Sequence, residues 1–168
     1  MEEVSSTIKF CCGQEFTMKQ KEDEFQKRVI TIARSWIDTP YMHQASLKGQ
    51  GCDCVGMVRG VYRELYGLEK EPEAMPPYQP DWYEVDQKDP LLAFGRKYLK
   101  EVPFGEMIPG DVLVFRMKPH VSAKHCGIIT DTDMMVHAYS QQKVFEVSLG
   151  SHWLKKVAAV LRFPYPEE

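Results

Sequence analysis

The chain has 168 residues, 43% of them hydrophobic and 27% charged, a balance typical of one globular domain large enough to bury a core. Its formal net charge of -3 gives no electrostatic reason to expect a nucleic-acid partner. No stretch reaches the roughly 18 apolar residues of a membrane-spanning helix, so we do not expect membrane insertion.

The first residues and the cysteine count bear on where the protein works. The acidic start over residues 1–6 lacks the basic and apolar regions of a secretory signal. We therefore expect synthesis in the cytoplasm without a signal peptide. The five cysteines are an odd number, which argues against a disulfide framework and predicts at least one free thiol.

The predicted elements begin with a tail and a helix. Residues 1–18 show no clear period and are predicted to be an N-terminal tail, followed by one domain over residues 19–168. From residue 19 to 37, apolar side chains recur at spacings of three and four, as on one face of a helix. Pro40 ends this helix, because the residue before a proline avoids helical backbone.

A second helix is predicted after a glycine-bearing loop over residues 46–52. Its apolar face runs from Val55 to Leu65, and Gly67 stands where the residue after a helix end belongs. Residues 69–90 contain five of the eleven prolines and predict a long loop. Residues 90–100 predict a third, shorter helix.

Strands dominate the second half of the chain. After Pro109-Gly110, five segments show strand-like patterns, over residues 111–115, 125–130, 134–139, 144–148 and 157–163. Helices first and antiparallel strands afterwards predict an α+β domain, with the helices packed on a sheet of about five strands.

Cys54 is a candidate nucleophile because of where the second helix begins. Asp53 is a good N-cap residue, which makes Cys54 the first helical residue. Unpaired backbone N–H groups and the helix dipole at that position favour a thiolate over a thiol. The alternative is a small buried apolar residue, which is what a free cysteine commonly is.

Two histidines on predicted neighbouring strands supply a base and its partner. If residues 131–133 form a three-residue hairpin loop, Thr130 faces Met134 and Gly127 faces His137, with His125 diagonal to His137. Diagonal neighbours on one face lie about 7–8 Å apart, within reach of two imidazole rings. A loop one residue longer or shorter would put His137 on the other face.

This geometry predicts three roles. His125 would pair with the Cys54 thiolate and later protonate the leaving amine. His137 would accept or donate a hydrogen bond at the far nitrogen of His125 and so fix its tautomer, as the third group does in other nucleophile–base arrangements. The alternative is a pair of structural strand histidines.

The chain resembles the NlpC/P60 family of papain-like cysteine peptidases from about Ile30 to Phe163. The resemblance rests on five motifs in the family's order. They read Pro40-Tyr41, Asp53-Cys54-Val55-Gly56, Pro109-Gly110-Asp111, His125-Cys126-Gly127 and His137-Ala138. Two residues depart from the usual pattern, since Val55 replaces a serine and Cys126 replaces a valine.

The resemblance implies a papain-like fold, catalytic residues Cys54, His125 and His137, and no cofactor or metal. It implies hydrolysis of a peptidoglycan stem-peptide amide, typically between γ-D-glutamate and a diamino acid, through a thioester acyl-enzyme. The hydroxyl of Tyr41 would lie near the substrate or the oxyanion, and the backbone N–H of Cys54 would be an oxyanion donor. Further candidates for substrate contact are Asp53, His43 and Gln44.

The loop over residues 40–46, together with Gly51-Cys52-Asp53-Cys54, is most similar to a subgroup encoded with phage tail genes and gene transfer agents. That similarity implies phage-tail or gene-transfer-agent proteins as partners. It also implies a phage-tail-like particle as the carrier that brings the protein to the cell wall, where peptidoglycan peptides are the substrate.

Three alternatives differ in class. A zinc module would use the cysteines and histidines, but their spacings do not match structural zinc sites. A non-catalytic structural or binding component of a tail-like particle would keep the fold without activity. An acyltransferase of the lecithin–retinol type would place its histidine before its cysteine, whereas here Cys54 precedes His125.

Overall fold

The computed structural model describes residues 16–73 and 89–166. Most of the predicted N-terminal tail, with Cys11 and Cys12, lies outside these residues. Residues 74–88 of the predicted proline-rich loop lie outside them as well. Within the described ranges, no helix is both long and apolar enough to cross a bilayer.

The first helix, α1, spans Met18–Arg34 and ends three residues before the predicted Ile37. Thr17 and Gln20 form a capping box, which satisfies backbone N–H groups at the helix start. The apolar residues Phe25, Val29 and Ala33 face the core at helical spacing, as predicted.

The second helix, α2, spans Cys54–Tyr66. A small hairpin precedes it, in which β1 (Ser46–Leu47) pairs with β2 (Gly51–Cys52), so the predicted loop is partly ordered as strand. Gly60 of α2 packs directly against the Trp36 ring, just after the end of α1. A Cβ at position 60 would lie 2.0 Å from that ring. The absence of a side chain at Gly60 therefore allows this close packing.

The main sheet has six antiparallel strands, in the order β3-β8-β4-β5-β6-β7. Their bounds are Lys100–Val102 for β3, Val112–Phe115 for β4, His125–Asp131 for β5, Met134–Ala138 for β6, Val144–Ser148 for β7 and Val157–Arg162 for β8. The α+β prediction is confirmed, with one strand more than the expected five.

The extra strand, β3, lies in a segment whose first residue had been predicted as helix. α3 spans Pro90–Tyr98, and the chain is extended from Leu99 onward. β3 pairs with β8, about sixty residues later in the chain. A three-residue edge strand whose partner is so distant leaves little periodic signal of its own, which is why the pattern did not show it.

Two cores lie on opposite faces of the sheet. The helices α1 to α3 bury one face, which includes Val114, Cys126 and Ile128. The other face, which includes Leu113 and Phe115, is covered by the short helix α4, Ser151–Leu154. The sequence did not predict α4.

The β5–β6 hairpin differs in detail from the predicted one. Asp131 pairs with Met134, so the turn has two residues and not three, and the prediction that Thr130 faces Met134 is wrong. A β-bulge at Thr130 then absorbs one residue, and Ile128 pairs with Val136 in the predicted register. The bulge therefore puts His137 on the face that the three-residue loop was expected to give.

Candidate active site

An open cleft of about 280 Å³ lies at the N-terminal end of α2. One wall comes from the loop before α2 and from its first turn. The other wall comes from the start of β5, the segment after β6 and α4. The lining residues are Tyr41, His43, Asp53, Cys54, Val55, Met117, Lys124, His125, Ala138, Tyr139, Ser140 and Trp153.

Cys54 is the first residue of α2, and it lines this cleft. Hydrogen bonds from the thiol of Cys126, and then from the ring of His125, hold the pKa of Cys54 well below the usual thiol value. The charge on His125 and the backbone N–H of Cys126 act in the same direction, whereas burial opposes them. Cys54 is therefore the natural thiolate of the site.

The two other described cysteines stay protonated. Contact with the Cys54 sulfur, together with burial, raises the pKa of Cys126 well above its usual value. Burial raises the pKa of Cys52 to about 12. Both side chains are free thiols buried in the core. Since the thiolate is the attacking form, Cys54 is the reactive cysteine of the described part of the chain.

The two predicted histidines meet. His125 Nε2 lies 2.8 Å from His137 Nδ1, a hydrogen bond between the rings. Because Nε2 of His125 is occupied in this way, its Nδ1 is the nitrogen left for the Cys54 sulfur. The ring of His125 thus connects the sulfur on one side with the second imidazole on the other.

His137 lies in an aromatic pocket and is 1% exposed. The rings of Tyr139, Phe145 and Trp153 surround it, with centroids 5.3–5.6 Å away. Burial, and then the charge of His125, lower the pKa of His137 to about 3. At neutral pH His137 is therefore uncharged, and its Nδ1 is the acceptor when His125 carries a proton on Nε2.

Aromatic rings also hold His125 itself. Phe115, which pairs with His125 across the β4–β5 ladder, stacks on the imidazole with a centroid distance of 5.9 Å. The ring of Trp153 lies 5.7 Å away, measured between centroids. These contacts restrict rotation of His125, which leaves the hydrogen bond to His137 to select its tautomer.

Asp53 caps α2, as the sequence favoured. Its Oδ1 accepts a hydrogen bond of 2.8 Å from the backbone N–H of Gly56, and its Oδ2 accepts one of 2.7 Å from Gln44. The carboxylate is 3% exposed, and His43 Nδ1 lies 3.7 Å from Oδ2. With both oxygens engaged, Asp53 positions the first turn of α2 and the loop before it.

The loop residues divide between cleft and surface. Tyr41 and His43 line the cleft, and Ser140 lies close to the Tyr41 hydroxyl on the opposite wall. Gln44 was predicted to line the pocket, but it is exposed and lies outside the lining. Its backbone is in the left-handed region, with φ of 62°, and its N–H binds Asp53. The structure therefore gives Gln44 a place in the helix cap.

Burial, mainly, and then the negative charges of Asp53 and Cys54 raise the pKa of Tyr41. The phenol is accordingly neutral at neutral pH and able to donate a hydrogen bond. Its electrostatic contact with Cys54 puts this donor on the sulfur's side of the cleft.

Sequence reasoning missed two parts of the site. Trp153 contacts both imidazoles, but it lies on a four-residue helix with no clear periodic signal. The contact between Cys126 and Cys54 was also missed, although Cys126 had been noted as a departure from the family pattern. The position of Cys126 in the sequence could have revealed this contact. Successive residues of a strand face opposite sides of the sheet, so residue 126 faces the helices when His125 faces away from them.

The geometry speaks against a zinc module. The nearest nitrogens of His125 and His137 bind each other at 2.8 Å instead of converging on a common point. Across residues 16–73 and 89–166, no group of three or more histidine, cysteine or acidic side chains could hold a metal ion.

A curated relative and several solved structures resemble this chain. The gamma-DL-glutamyl hydrolase of Bacillus subtilis is 25% identical over 136 residues, which make up 80% of this chain and 29% of that protein. The chain therefore spans less than a third of that relative's length.

Among solved structures, NlpC2 from Trichomonas vaginalis is 15% identical with a TM-score of 0.60, covering 83% of this chain and 46% of that one. The peptidoglycan hydrolase RipB from Mycobacterium tuberculosis is 18% identical with a TM-score of 0.57, covering 89% of this chain and 70% of that one. These two likenesses show a shared fold. A sequence model of the NlpC/P60 family matches residues 38–162. The chain belongs to the NlpC/P60 family.

Proposed function

We propose that the protein is a cysteine endopeptidase that hydrolyses an amide bond of the peptidoglycan stem peptide. The proposed bond joins the γ-carboxyl group of D-glutamate to the amine of a diamino acid. The observation that carries the proposal is the Cys54 sulfur, whose lowered pKa makes it a thiolate beside a positioned imidazole.

In the first step, the Cys54 thiolate attacks the carbonyl carbon of the scissile amide. A C–S bond forms, and the carbonyl π electrons move to the oxygen. The backbone N–H of Cys54, at the start of α2, has no intrahelical acceptor and can bind this oxyanion. The neutral hydroxyl of Tyr41 is a second donor on the same side of the cleft.

The intermediate then collapses. The C–N bond breaks while Nδ1 of His125 gives its proton to the leaving amine, which leaves a thioester on Cys54. A water molecule attacks the thioester after losing a proton to Nδ1 of His125. The C–S bond breaks, the acid product leaves, and the thiolate–imidazolium pair is restored.

His137 keeps the proton shuttle on one nitrogen. Its neutral Nδ1 accepts the hydrogen bond from Nε2–H of His125, so the proton exchanged with substrate sits on Nδ1 of His125. An uncharged partner stabilises an imidazolium less than a carboxylate would. The hydrogen bonds of Cys126 to the sulfur supply part of the stabilisation of the ion pair instead.

The names of two relatives support the choice of substrate. The Bacillus protein is named as a hydrolase of γ-glutamyl bonds, and RipB is named as a peptidoglycan hydrolase. A γ-D-glutamyl bond in a stem peptide combines both descriptions. The open cleft accepts an extended peptide, and Lys124 in its wall carries a charge that complements the free carboxylates of such a peptide.

The experiment is mass spectrometry of defined muropeptide fragments incubated with the wild type and with Cys54→Ala. We expect the wild type to release the diamino acid with a new free amine and Cys54→Ala to lose on the order of 10⁶-fold in rate, since it lacks the nucleophile. Cys52→Ala is a matched control, because the pKa of Cys52 is raised to about 12 and its thiol cannot attack.

Two results would contradict the proposal. Equal cleavage by wild type and Cys54→Ala would exclude Cys54 as the nucleophile. Cleavage of poly-γ-glutamate with none of the stem peptide would keep the chemistry but replace the substrate.

We further propose that the protein reaches the wall as part of a phage-tail-like or gene-transfer-agent particle. The similarity of residues 40–46 and 51–54 to that subgroup supports this proposal. Mass spectrometry of such particles, purified from the producing cells, tests it. We expect the chain to co-purify with tail proteins through a density gradient, and its absence from them would overturn the proposal.

A further inference from the structure

A cationic pocket of about 400 Å³ adjoins the active-site cleft. Its lining includes Arg116, Met117, Lys118, Lys155 and Lys156. None of its lining residues is acidic, and the proposed mechanism assigns no step to them. Because the whole chain has a formal net charge of -3, four basic side chains around one pocket are a local concentration of positive charge.

The pocket lies where the ladder between β4 and β8 ends. The last residue of β4, Phe115, pairs with Val157 at the start of β8, with a β-bulge next to this pair. Directly beyond it, the backbone N–H of Arg116 donates to the carbonyl oxygen of Lys156 at 2.8 Å. Backbone pairing therefore connects the two segments that line the pocket, residues 116–119 and 155–158.

The four basic side chains differ in how their charge is balanced. Arg116 Nη2 forms an ion pair of 2.5 Å with Asp89, which offsets one of the four charges. Among residues 16–73 and 89–166, no carboxylate forms an ion pair with Lys118, Lys155 or Lys156. Three positive charges thus favour an anion as the ligand of this pocket.

Lys156 brings this charge close to the catalytic histidine. Met117 lines both the pocket and the cleft, so the two spaces adjoin. Lys156 Nζ lies 6.0 Å from the centroid of Trp153, a cleft-lining ring whose own centroid is 5.7 Å from that of His125. His152 Nε2, 2.7 Å from the same ammonium, brings it no negative charge. Lys156 Nζ is therefore within about 12 Å of the His125 ring.

The position of the pocket indicates which part of the substrate it faces. In the proposed reaction His125 gives its proton to the leaving amine, so the leaving group lies along the wall that contains His125 and Trp153. An extended peptide advances about 3.3–3.6 Å per residue, so three residues beyond the scissile bond cover about 10–11 Å. A carboxylate on the diamino acid, or at a C-terminus one or two residues later, is within reach of Lys156.

We propose that the cationic pocket binds a free carboxylate of the leaving-group part of the substrate. Two groups can supply this anion, the second carboxylate of a diamino acid such as diaminopimelate and the C-terminal carboxylate of the peptide. The inference rests on the proposed function, because it takes the leaving amine to be that of a diamino acid. The pocket acts on binding, whereas bond cleavage depends on Cys54 and His125.

The test compares four stem-peptide fragments as substrates of the wild type. They carry diaminopimelate or lysine at the diamino-acid position, and a free or an amidated C-terminus. Lysine keeps both amines but lacks the second carboxylate, and amidation removes the terminal charge. We expect KM to be about tenfold higher for the fragment with neither carboxylate, with kcat within about twofold. The carboxylate whose removal causes this rise is the one that the pocket binds.

Lysine variants assign the effect to the pocket. Lys156→Met removes the charge but keeps an unbranched side chain, and it should raise KM for the preferred fragment about threefold. Adding Lys118→Met and Lys155→Met should raise it about tenfold, whereas KM for the fragment without carboxylates stays unchanged. Lys156→Arg should remain within about twofold of the wild type. Lys100→Met, an exposed lysine paired with the other end of β8, is the comparison variant and should keep wild-type KM.

A binding measurement separates this inference from the proposed reaction. Isothermal titration calorimetry of the same fragments with Cys54→Ala requires no cleavage. The Kd values should follow the KM differences, and they should converge at about 0.5 M NaCl, where exposed charge pairs are screened. If the wild type cleaves none of the fragments, the proposed function fails, and calorimetry with and without the lysine substitutions decides this inference.

Three results overturn the inference. The first is an equal Kd for all four fragments. The second is an equal loss of affinity in Lys156→Met for fragments with and without carboxylates, in protein shown to be folded by urea unfolding, which would assign the effect to the shape of the wall. The third is a carboxylate effect that persists in the triple lysine variant, which would place the anion at another cation, such as Lys124 in the cleft.

Discussion

The two nitrogens of the His125 ring lead to opposite surroundings. On the Nδ1 side, the sulfur of Cys54 lies at a helix N-terminus, with backbone and thiol donors directed at it. On the Nε2 side, His137 lies among aromatic rings, and its own Nε2 has no hydrogen-bond partner among the described residues. The first environment stabilises a charge and the second excludes one.

The difference shows how one site keeps the Cys54 thiol ionised and the nearby His137 ring uncharged. Hydrogen-bond donors lower the pKa of a buried thiol, although burial alone would raise it. Aromatic burial lowers the pKa of a histidine because it penalises the imidazolium. The charge that acts on the pKa of Cys54 is that of His125, the ring between the two environments.

Replacing His125 removes the link between the two environments and should have the largest effect. We expect His125→Gln to lower kcat/KM by about 10²–10⁴-fold, because both the cation beside the sulfur and the proton donor are lost. Alkylation of Cys54 should also shift to higher pH, since the charge of His125 lowers its pKa. The exposed His152 is the matched control, and His152→Gln should keep wild-type kinetics. Wild-type rates in His125→Gln would remove His125 from the mechanism.

Replacing His137 tests, through protein stability, whether the aromatic pocket keeps this ring uncharged. The pKa of His137 is about 3 in the folded protein, and a histidine in the unfolded chain has a pKa of about 6.5. Between those values the unfolded state binds more protons, so stability conferred above pH 6.5 is lost as the pH falls toward 3. The loss should approach 1.4 kcal/mol per pH unit within this window.

The measurement is the free energy of unfolding in urea at pH 7, 6, 5 and 4, compared between wild type and His137→Leu. We expect the wild type to lose stability more steeply than the variant, which lacks the titrating ring. His152→Leu should follow the wild-type slope, since His152 is exposed. Parallel slopes for wild type and His137→Leu would show that the aromatic pocket does not suppress protonation.

Asp53 holds the first turn of α2, which carries Cys54. Of the three replacements, that of Asp53 should have the smallest effect. We expect Asp53→Ala to lower the free energy of unfolding by about 1–2 kcal/mol, because the N-cap acceptor is lost. Asp53→Asn keeps an acceptor for Gly56 but cannot accept from Gln44 with its amide nitrogen, so about half that loss is expected. Equal stability of Asp53→Ala and wild type in urea unfolding would contradict the cap.

Much of the fold was readable from periodicity. The helices over residues 18–34 and 54–66 and the five predicted strands bury faces at the expected spacing. β3 and α4 were not readable, because each is short and is held by partners distant in the chain. Tertiary contacts decide such segments, and local pattern does not.

For the site, sequence reasoning named Cys54, His125 and His137, which the structure brings together. A helix start and a strand pairing are local features, so the sequence could specify them. The surroundings that set ionisation were not readable. Cys126 acts through the packing of α2 on β5, and Trp153 acts through a short helix on the opposite face. Neither contact exists until the sheet has formed.

The bulge at Thr130 has a consequence for changes in the length of this hairpin. Side chains alternate along a strand, so the face on which the second imidazole lands depends on whether the number of intervening residues is even or odd. The bulge adds one residue to β5, which compensates for a turn that is one residue shorter than predicted. After a single insertion or deletion between His125 and His137, the two rings can stay in contact only if the strand pair gains or loses a bulge. A change of two residues leaves both rings on the same face without any such adjustment.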